Sequence, residues 1–127
     1  MEPIFTLFGT VVHGKEIGRK MNMPTANIKC EGDLPLGVFA SVLKVGDKAY
    51  KGVTNIGQRP TVDDNEEITA ETYLLSFRGE LYGKEVKLCL YKKLRETMKF
   101  PSKEALRERI KEDESQAAEI LKETEAF

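Results

Sequence analysis

The sequence predicts a mainly β fold: an antiparallel sheet closed as a small barrel, followed by one C-terminal α-helix. Three observations predict it. Segments in which apolar side chains alternate with their neighbours at a period of two recur from Phe5 to Tyr91. Clusters of glycine, proline and asparagine separate them. The helical period appears in one segment, after Pro101. Strands followed by a single terminal helix fit a closed sheet with the helix packed on it.

Residues 5–12 read as the first strand, with Phe5, Leu7, Gly9 and Val11 on one face. Residues 13–23 read as a loop holding Gly14, Gly18 and Asn22, the last a residue that tolerates positive φ. Residues 31–36 are turn-rich. Residues 37–45 are apolar on both faces, with Val38, Ala40 and Val42 on one and Phe39, Leu43 and Val45 on the other. Such a strand is covered on both sides. Gly46 and Asp47 supply a short turn, and residues 48–56 return as a β-hairpin. Residues 55–61 read as turn residues closing that strand. The acidic run in 62–68 reads as a solvated loop. Residues 69–77 are the next strand, with Glu71, Tyr73, Leu75 and Phe77 on one face. Phe39, Tyr73 and Phe77 face the core in this reading. Val86, Leu88 and Leu90 alternate with Lys87, Cys89 and Tyr91 in the last strand. Residues 94–100 read as a solvated basic connection. Ser102 is a natural helix N-cap, Glu104 suits the first turn, and Leu106, Ile110, Ala117, Ile120 and Leu121 recur at helical spacing.

Composition bounds the partners. The chain has 127 residues, enough for one domain with a core of its own. Hydrophobic residues make up 40% and charged residues 32%, a soluble globular balance. Lys+Arg total 20 and Asp+Glu 21, for a net charge of −1, which argues against a broad nucleic-acid surface. Aromatic content of 8% without tryptophan argues the same against an oligonucleotide-binding barrel. Cys30 and Cys89 are isolated and His13 is the single histidine, so no zinc set can be assembled. No signal-peptide pattern and no membrane-spanning apolar run is present. The expected setting is the cytoplasm, and the expected form a monomer without membrane or nucleic-acid partners.

The chemistry starts at Thr25 and Asn27. In extended backbone, positions two apart point the same way, and Pro24 stiffens the entry. Two neutral oxygens beside a glycine-containing loop with Arg19 and Lys20 suit a magnesium-phosphate complex. A turn with Asx and hydroxyl hydrogen bonds uses the same residues. Glu71 closes an apolar strand face, so it is either an edge carboxylate or a base whose pKa desolvation raises. Arg95, Lys99 and Phe100 offer cations and an aromatic ring ahead of the helix. No Walker-type or protein-kinase signature is present.

Read as an ordered set, these segments resemble the ATP-dependent riboflavin kinase family, found alone or as the C-terminal part of bifunctional FAD synthetases. The match runs from Gly9-Thr10-Val11-Val12-His13-Gly14 through Gly18-Arg19-Lys20, Pro24-Thr25-Ala26-Asn27 and Gly37-Val38-Phe39. It continues with Asn55-Ile56-Gly57-Gln58-Arg59-Pro60-Thr61, Glu71, Leu81-Tyr82-Gly83, Leu94-Arg95 and Lys99-Phe100, and ends with Asp113 in the helix. The resemblance implies a six-stranded Greek-key barrel with a C-terminal helix, and transfer of the ATP γ-phosphoryl group to the 5′-hydroxyl of riboflavin, giving FMN. It implies that Thr25 and Asn27 hold Mg²⁺ with the nucleotide phosphates and that Glu71 takes the hydroxyl proton. Gly14, Arg19, Lys20, Thr25, Leu74, Ser76 and Tyr82 would lie on the ATP side. Arg95, Met98 and Phe100 would border the flavin. Residues 1–127 form one kinase domain in this reading.

Three positions depart from the family pattern. Asn22 stands in place of a glycine, Thr97 in place of an acid, and Tyr73 in place of a common histidine. The changes at Asn22 and Tyr73 leave the core chemistry alone in this reading, and Thr97 bears on the flavin contacts. With His13 the single histidine, no HxGH-type nucleotidyl-transfer motif exists here, so FMN is the expected end product. The chain is either a free-standing kinase or a domain from a longer enzyme. The alternative function is a barrel that binds flavin or nucleotide without turnover.

Overall fold

The computed structural model describes residues 2–12, 25–29, 33–60, 66–76, 80–124 and 126. Alternating side chains and intervening turns produce β1 (Phe5–Val12), β2 (Thr25–Lys29), β3 (Gly37–Val45), β4 (Lys48–Pro60), β5 (Glu66–Leu74) and β6 (Glu85–Arg95). One helix follows, α1 (Lys103–Ile120). The strands close into a barrel in the order β1-β2-β5-β4-β3-β6, with every neighbouring pair antiparallel. From β3 to β5 the chain meanders; β6 then returns to lie beside β3, which is a Greek key. The β3–β4 hairpin turns through Gly46 and Asp47, with Gly46 at φ 60°, the sign a tight hairpin turn needs.

The barrel interior is filled by one side of each strand. Leu7, Val11, Ile28, Phe39, Leu43, Ile56, Leu74, Leu88 and Leu90 are buried there together. A short polar layer crosses it. Thr54 donates to the Ser41 hydroxyl at 2.8 Å, and Thr72 meets the Thr54 hydroxyl at 2.8 Å. A hydroxyl carries one hydrogen, so Thr72 donates to Thr54. Gly52 of β4 lets β5 come close: a Cβ there would stand 2.7 Å from the Tyr73 carbonyl oxygen.

The outer side of β3 is also apolar because α1 covers it. Val38, Ala40, Val42 and Val53 pack with Ala117 and Leu121. Fully burying a leucine or valine of this kind contributes about 1.5–3 kcal/mol. Ser102 caps α1 by accepting from the Ala105 amide at 3.1 Å. Among the described residues no helix is long and apolar enough to cross a membrane.

Several boundaries differ from the sequence reading. β4 does not stop at Ile56 but runs to Pro60, because β5 keeps pairing with it as far as Pro60 opposite Glu66. β3 has ended its pairing at Ile56, so Gly57 to Pro60 form an edge segment, where proline is tolerated. The acidic run is correspondingly shorter as a loop, since β5 begins at Glu66. β5 ends at Leu74, and the reading of Phe77 as a core residue lies outside the described residues. Tyr73 is buried, but not in the barrel: it packs with Ile110 and Leu106 under α1.

Candidate active site

The outer face beneath and beside α1 gathers Thr25, Asn27, Glu71 and Arg95 from the polar side chains picked out by sequence. Antiparallel register lines them up. Asn27 on β2 lies opposite Glu71 on β5, and Glu71 lies opposite Asn55 on β4. Asn55 is opposite Val38 on β3, and Val38 is opposite Arg95 on β6. The next row runs from Thr25 to Tyr73 to Val53. Directly opposed residues on one face keep their Cβ atoms about 4.5–5.5 Å apart. Glu71 therefore stands between two carboxamides contributed by different strands. Alternation turns Ala26, Thr54 and Thr72 the other way, into the barrel.

A cavity of about 190 Å³ opens where this face meets α1. Glu71, Asn55, Tyr73 and Arg95 are on its wall with Val38 and Val53. Met98 and Phe100 come from the connection after β6, and Leu106, Ile110 and Asp113 from α1. Thr25 and Asn27 do not line it; they sit beside Glu71 and Tyr73 on the neighbouring strand. The cavity thus has an apolar body with a few polar groups at defined points, as small-molecule sites usually do.

The polar wall is ordered by one buried acid. Asp113 is 1% exposed on the inner stripe of α1. It accepts from Arg95 Nε at 3.0 and 3.1 Å and from Nη2 at 2.6 Å, a forked pair. Arg95 Nη1 donates to the Glu96 carbonyl at 3.1 Å, and the guanidinium carbon lies 5.7 Å from the centre of the Phe100 ring. Arg109 approaches the same carboxylate at 3.7 Å without forming a hydrogen bond through Nε. The connection read as a solvated basic loop is therefore held down at Arg95, because the fork to Asp113 and the Phe100 face fix the guanidinium.

Tyr73 places its hydroxyl beside Glu71. Burial pushes its pKa well above the ordinary tyrosine value, and the Glu71 carboxylate adds to this by charge and by hydrogen bonding. The phenol is a neutral donor next to the candidate base.

On the nucleotide side, Gly14, Arg19 and Lys20 lie outside the described residues. Leu74 turns its side chain into the barrel and is 1% exposed, so it can meet a ligand through its backbone only. Ser76 is exposed just beyond β5, and Tyr82 is exposed in the turn before β6. The Gly83 amide of that turn donates to Val11 at the end of β1. Thr25, Ser76 and Tyr82 thus share one end of the barrel. Among the described residues no cluster of histidine, cysteine and acidic groups could enclose a metal alone.

The sequence reading named neither Asn55 nor Asp113 as site residues. Asn55 acquires its place from β4–β5 register, which is non-local. Asp113 carried a local signal: it falls between Ile110 and Ala117 at helical spacing, a carboxylate inside an apolar stripe.

Comparison with known proteins assigns a family. The family model for Flavokinase, riboflavin kinase, matches residues 2–121. The RNA-binding riboflavin kinase RibR of Bacillus subtilis (strain 168) is 42% identical over 107 residues, covering 83% of this chain and 46% of that protein. The bifunctional riboflavin kinase/FMN adenylyltransferase of Escherichia coli (strain K12) is 40% identical over 120 residues, covering 92% of this chain and 38% of that one. The chain thus spans less than half the length of these relatives. The crystal structure of riboflavin kinase from Trypanosoma brucei superposes with a TM-score of 0.65 at 26% identity, over 98% of this chain and 83% of that one. By sequence match and barrel topology, the chain belongs to the riboflavin kinase family.

Proposed function

We propose that this chain transfers the γ-phosphoryl group of ATP to the 5′-hydroxyl of riboflavin, forming FMN and ADP. The observation that carries the reading is the register of β2, β5 and β4. It sets Glu71 between Asn27 and Asn55 at the edge of a cavity walled by Phe100, Leu106 and Ile110. A hydroxyl held there has a carboxylate to take its proton. The apolar walls and the Phe100 ring suit a flat aromatic ring system.

Each group has a defined task. Glu71 accepts the hydroxyl proton as the oxygen attacks phosphorus, a contribution of about 10²–10⁴-fold. The Tyr73 phenol donates to that carboxylate and holds it in place. Arg95, Met98 and Phe100 border the flavin. Thr25 and Asn27 present neutral oxygens from one face of β2, which fits Mg²⁺, an ion that keeps most of its charge and ligand positions for phosphate and water. Mg²⁺ supplies charge neutralisation on the nucleotide phosphates. Gly14, Arg19, Lys20, Ser76, Tyr82 and the backbone at Leu74 make up the nucleotide side. Most of the acceleration comes from positioning and charge stabilisation, as phosphoryl transfer requires little covalent chemistry from the protein.

Residues 1–127 act as one kinase domain in this proposal, in the cytoplasm, and the product of this chain is FMN rather than FAD. The test is incubation of the protein with riboflavin and Mg·ATP, with flavins separated by chromatography. FMN accumulates and FAD does not. Saturable flavin binding with no FMN would assign the chain to the non-catalytic alternative.

A further inference from the structure

We propose that Asp113 is a positioning residue for flavin recognition, acting through Arg95; the inference rests on the assignment of the cavity to the flavin. Arginine carries five N–H donors in a planar fork. Here Nε and Nη2 engage Asp113, and Nη1 engages the Glu96 carbonyl. Phe100 lies against the group at 5.7 Å. The plane and direction of the guanidinium are thereby fixed before any ligand arrives. The second hydrogens on Nη1 and Nη2 remain for a carbonyl or ring nitrogen of the bound ligand.

Packing alone does not call for this carboxylate. Asp113 occupies a stripe in which its neighbours at helical spacing are Ile110 and Ala117, and α1 seals the sheet there with apolar contacts. An ion pair buried to this degree commonly contributes no more stability than well-packed apolar side chains of similar volume. What it supplies is direction. Both partners of the pair line the cavity, and so do Met98 and Phe100, which the same connection carries. Asp113 joins the helix to the flavin wall, and a shift of α1 along the barrel would re-aim Arg95.

The test compares the parent with Asp113→Asn, Arg95→Lys and the double variant. Asparagine keeps the shape and removes the charge; lysine keeps the charge and removes the fork. Two readouts are taken for each: riboflavin affinity by flavin fluorescence with Mg·ADP present, and KM for riboflavin and for ATP in FMN formation. Asp113→Asn weakens riboflavin affinity and raises its KM by about 10- to 100-fold, the cost of a lost charge-assisted pair. KM for ATP stays at the parent value, which a general loosening of the fold would not allow. The double variant is no weaker than Arg95→Lys alone, since Asp113 reaches the flavin through Arg95; Arg109, its other cation at 3.7 Å, does not line the cavity. Additive losses, or equal losses on both substrates, overturn the proposal. If Asp113→Asn does not fold, the Arg95 Nε–H resonance of the parent decides. It is slowly exchanging without flavin if Asp113 holds the group, and fast exchange overturns the proposal. A parent that binds riboflavin but makes no FMN removes the kinase activity and leaves the affinity comparison intact. A parent that binds no flavin removes both.

Discussion

The strands that carry the site bury polar groups on both faces, in two different ways. On the inner face Ser41, Thr54 and Thr72 satisfy one another in a sealed layer, each fully buried and each on a different strand. On the outer face Glu71, Asn55 and Arg95 converge on a cavity, with Asp113 and Tyr73 behind them. Adjacent residues fall on opposite sides of this division: Thr54 with Asn55, Glu71 with Thr72. The inner hydroxyls are neutral and matched, so their bonds close on themselves. The outer groups are charged or carboxamide side chains, and they line a cavity. The comparison teaches that polarity in a strand is informative about function only once its face is known.

The largest effect is expected at Glu71. Glu71→Gln lowers kcat for FMN formation by about 10²–10⁴-fold and leaves Mg·ATP affinity near the parent value. Steady-state kinetics with calorimetric titration of the nucleotide check both halves. On the inner face, Thr54→Val leaves the Ser41 and Thr72 hydroxyls short of a partner. Unfolding in urea should show a loss of about 1–3 kcal/mol with kcat retained. Asn27→Ala and Thr25→Ala remove one oxygen each from the outer row. Calorimetry is expected to show Mg·ATP binding weakened by about tenfold, near 1.4 kcal/mol; unchanged affinity in both would remove them from the metal assignment.

The smallest effect is a pH dependence from Tyr73. Its pKa is raised in the folded state by burial and by Glu71. The unfolded chain therefore releases this proton first. The stabilising contribution is whole below the ordinary tyrosine value near 10 and is lost as pH rises from there toward the folded value. Parent and Tyr73→Phe should have parallel stability profiles at neutral pH and diverge only in alkali, the parent falling faster.

Much of this molecule was legible in its sequence, and for local reasons. The two-residue period gave β1, β3 and β6, Gly46 and Asp47 gave the hairpin, and Ser102 gave the start of the helix. The apolar character of both faces of residues 37–45 correctly signalled a strand covered twice, by the barrel interior on one side and α1 on the other. Thr25 and Asn27 form a same-face pair that extended backbone alone dictates. What could not be read locally was pairing. Asn55 belongs beside Glu71 only because β4 and β5 meet in one register, and a slip of one residue would have put Thr54 there instead. The same pairing carries β4 through Gly57 to Pro60, where local residue types spell a turn. The burial of Asp113 has a local sign in the stripe from Ile110 to Ala117, but its pairing with Arg95, 18 residues away, is tertiary and has none.

The most direct test of the division between faces uses two neighbours, Glu71→Gln and Thr72→Val. Each is measured for single-turnover FMN formation and for unfolding midpoint beside the parent. The account predicts that Glu71→Gln loses phosphoryl transfer at an unchanged midpoint, and that Thr72→Val unfolds earlier with transfer intact. If Glu71→Gln forms FMN at the parent rate, or if transfer is lost equally in both variants, the outer face is not the seat of the chemistry.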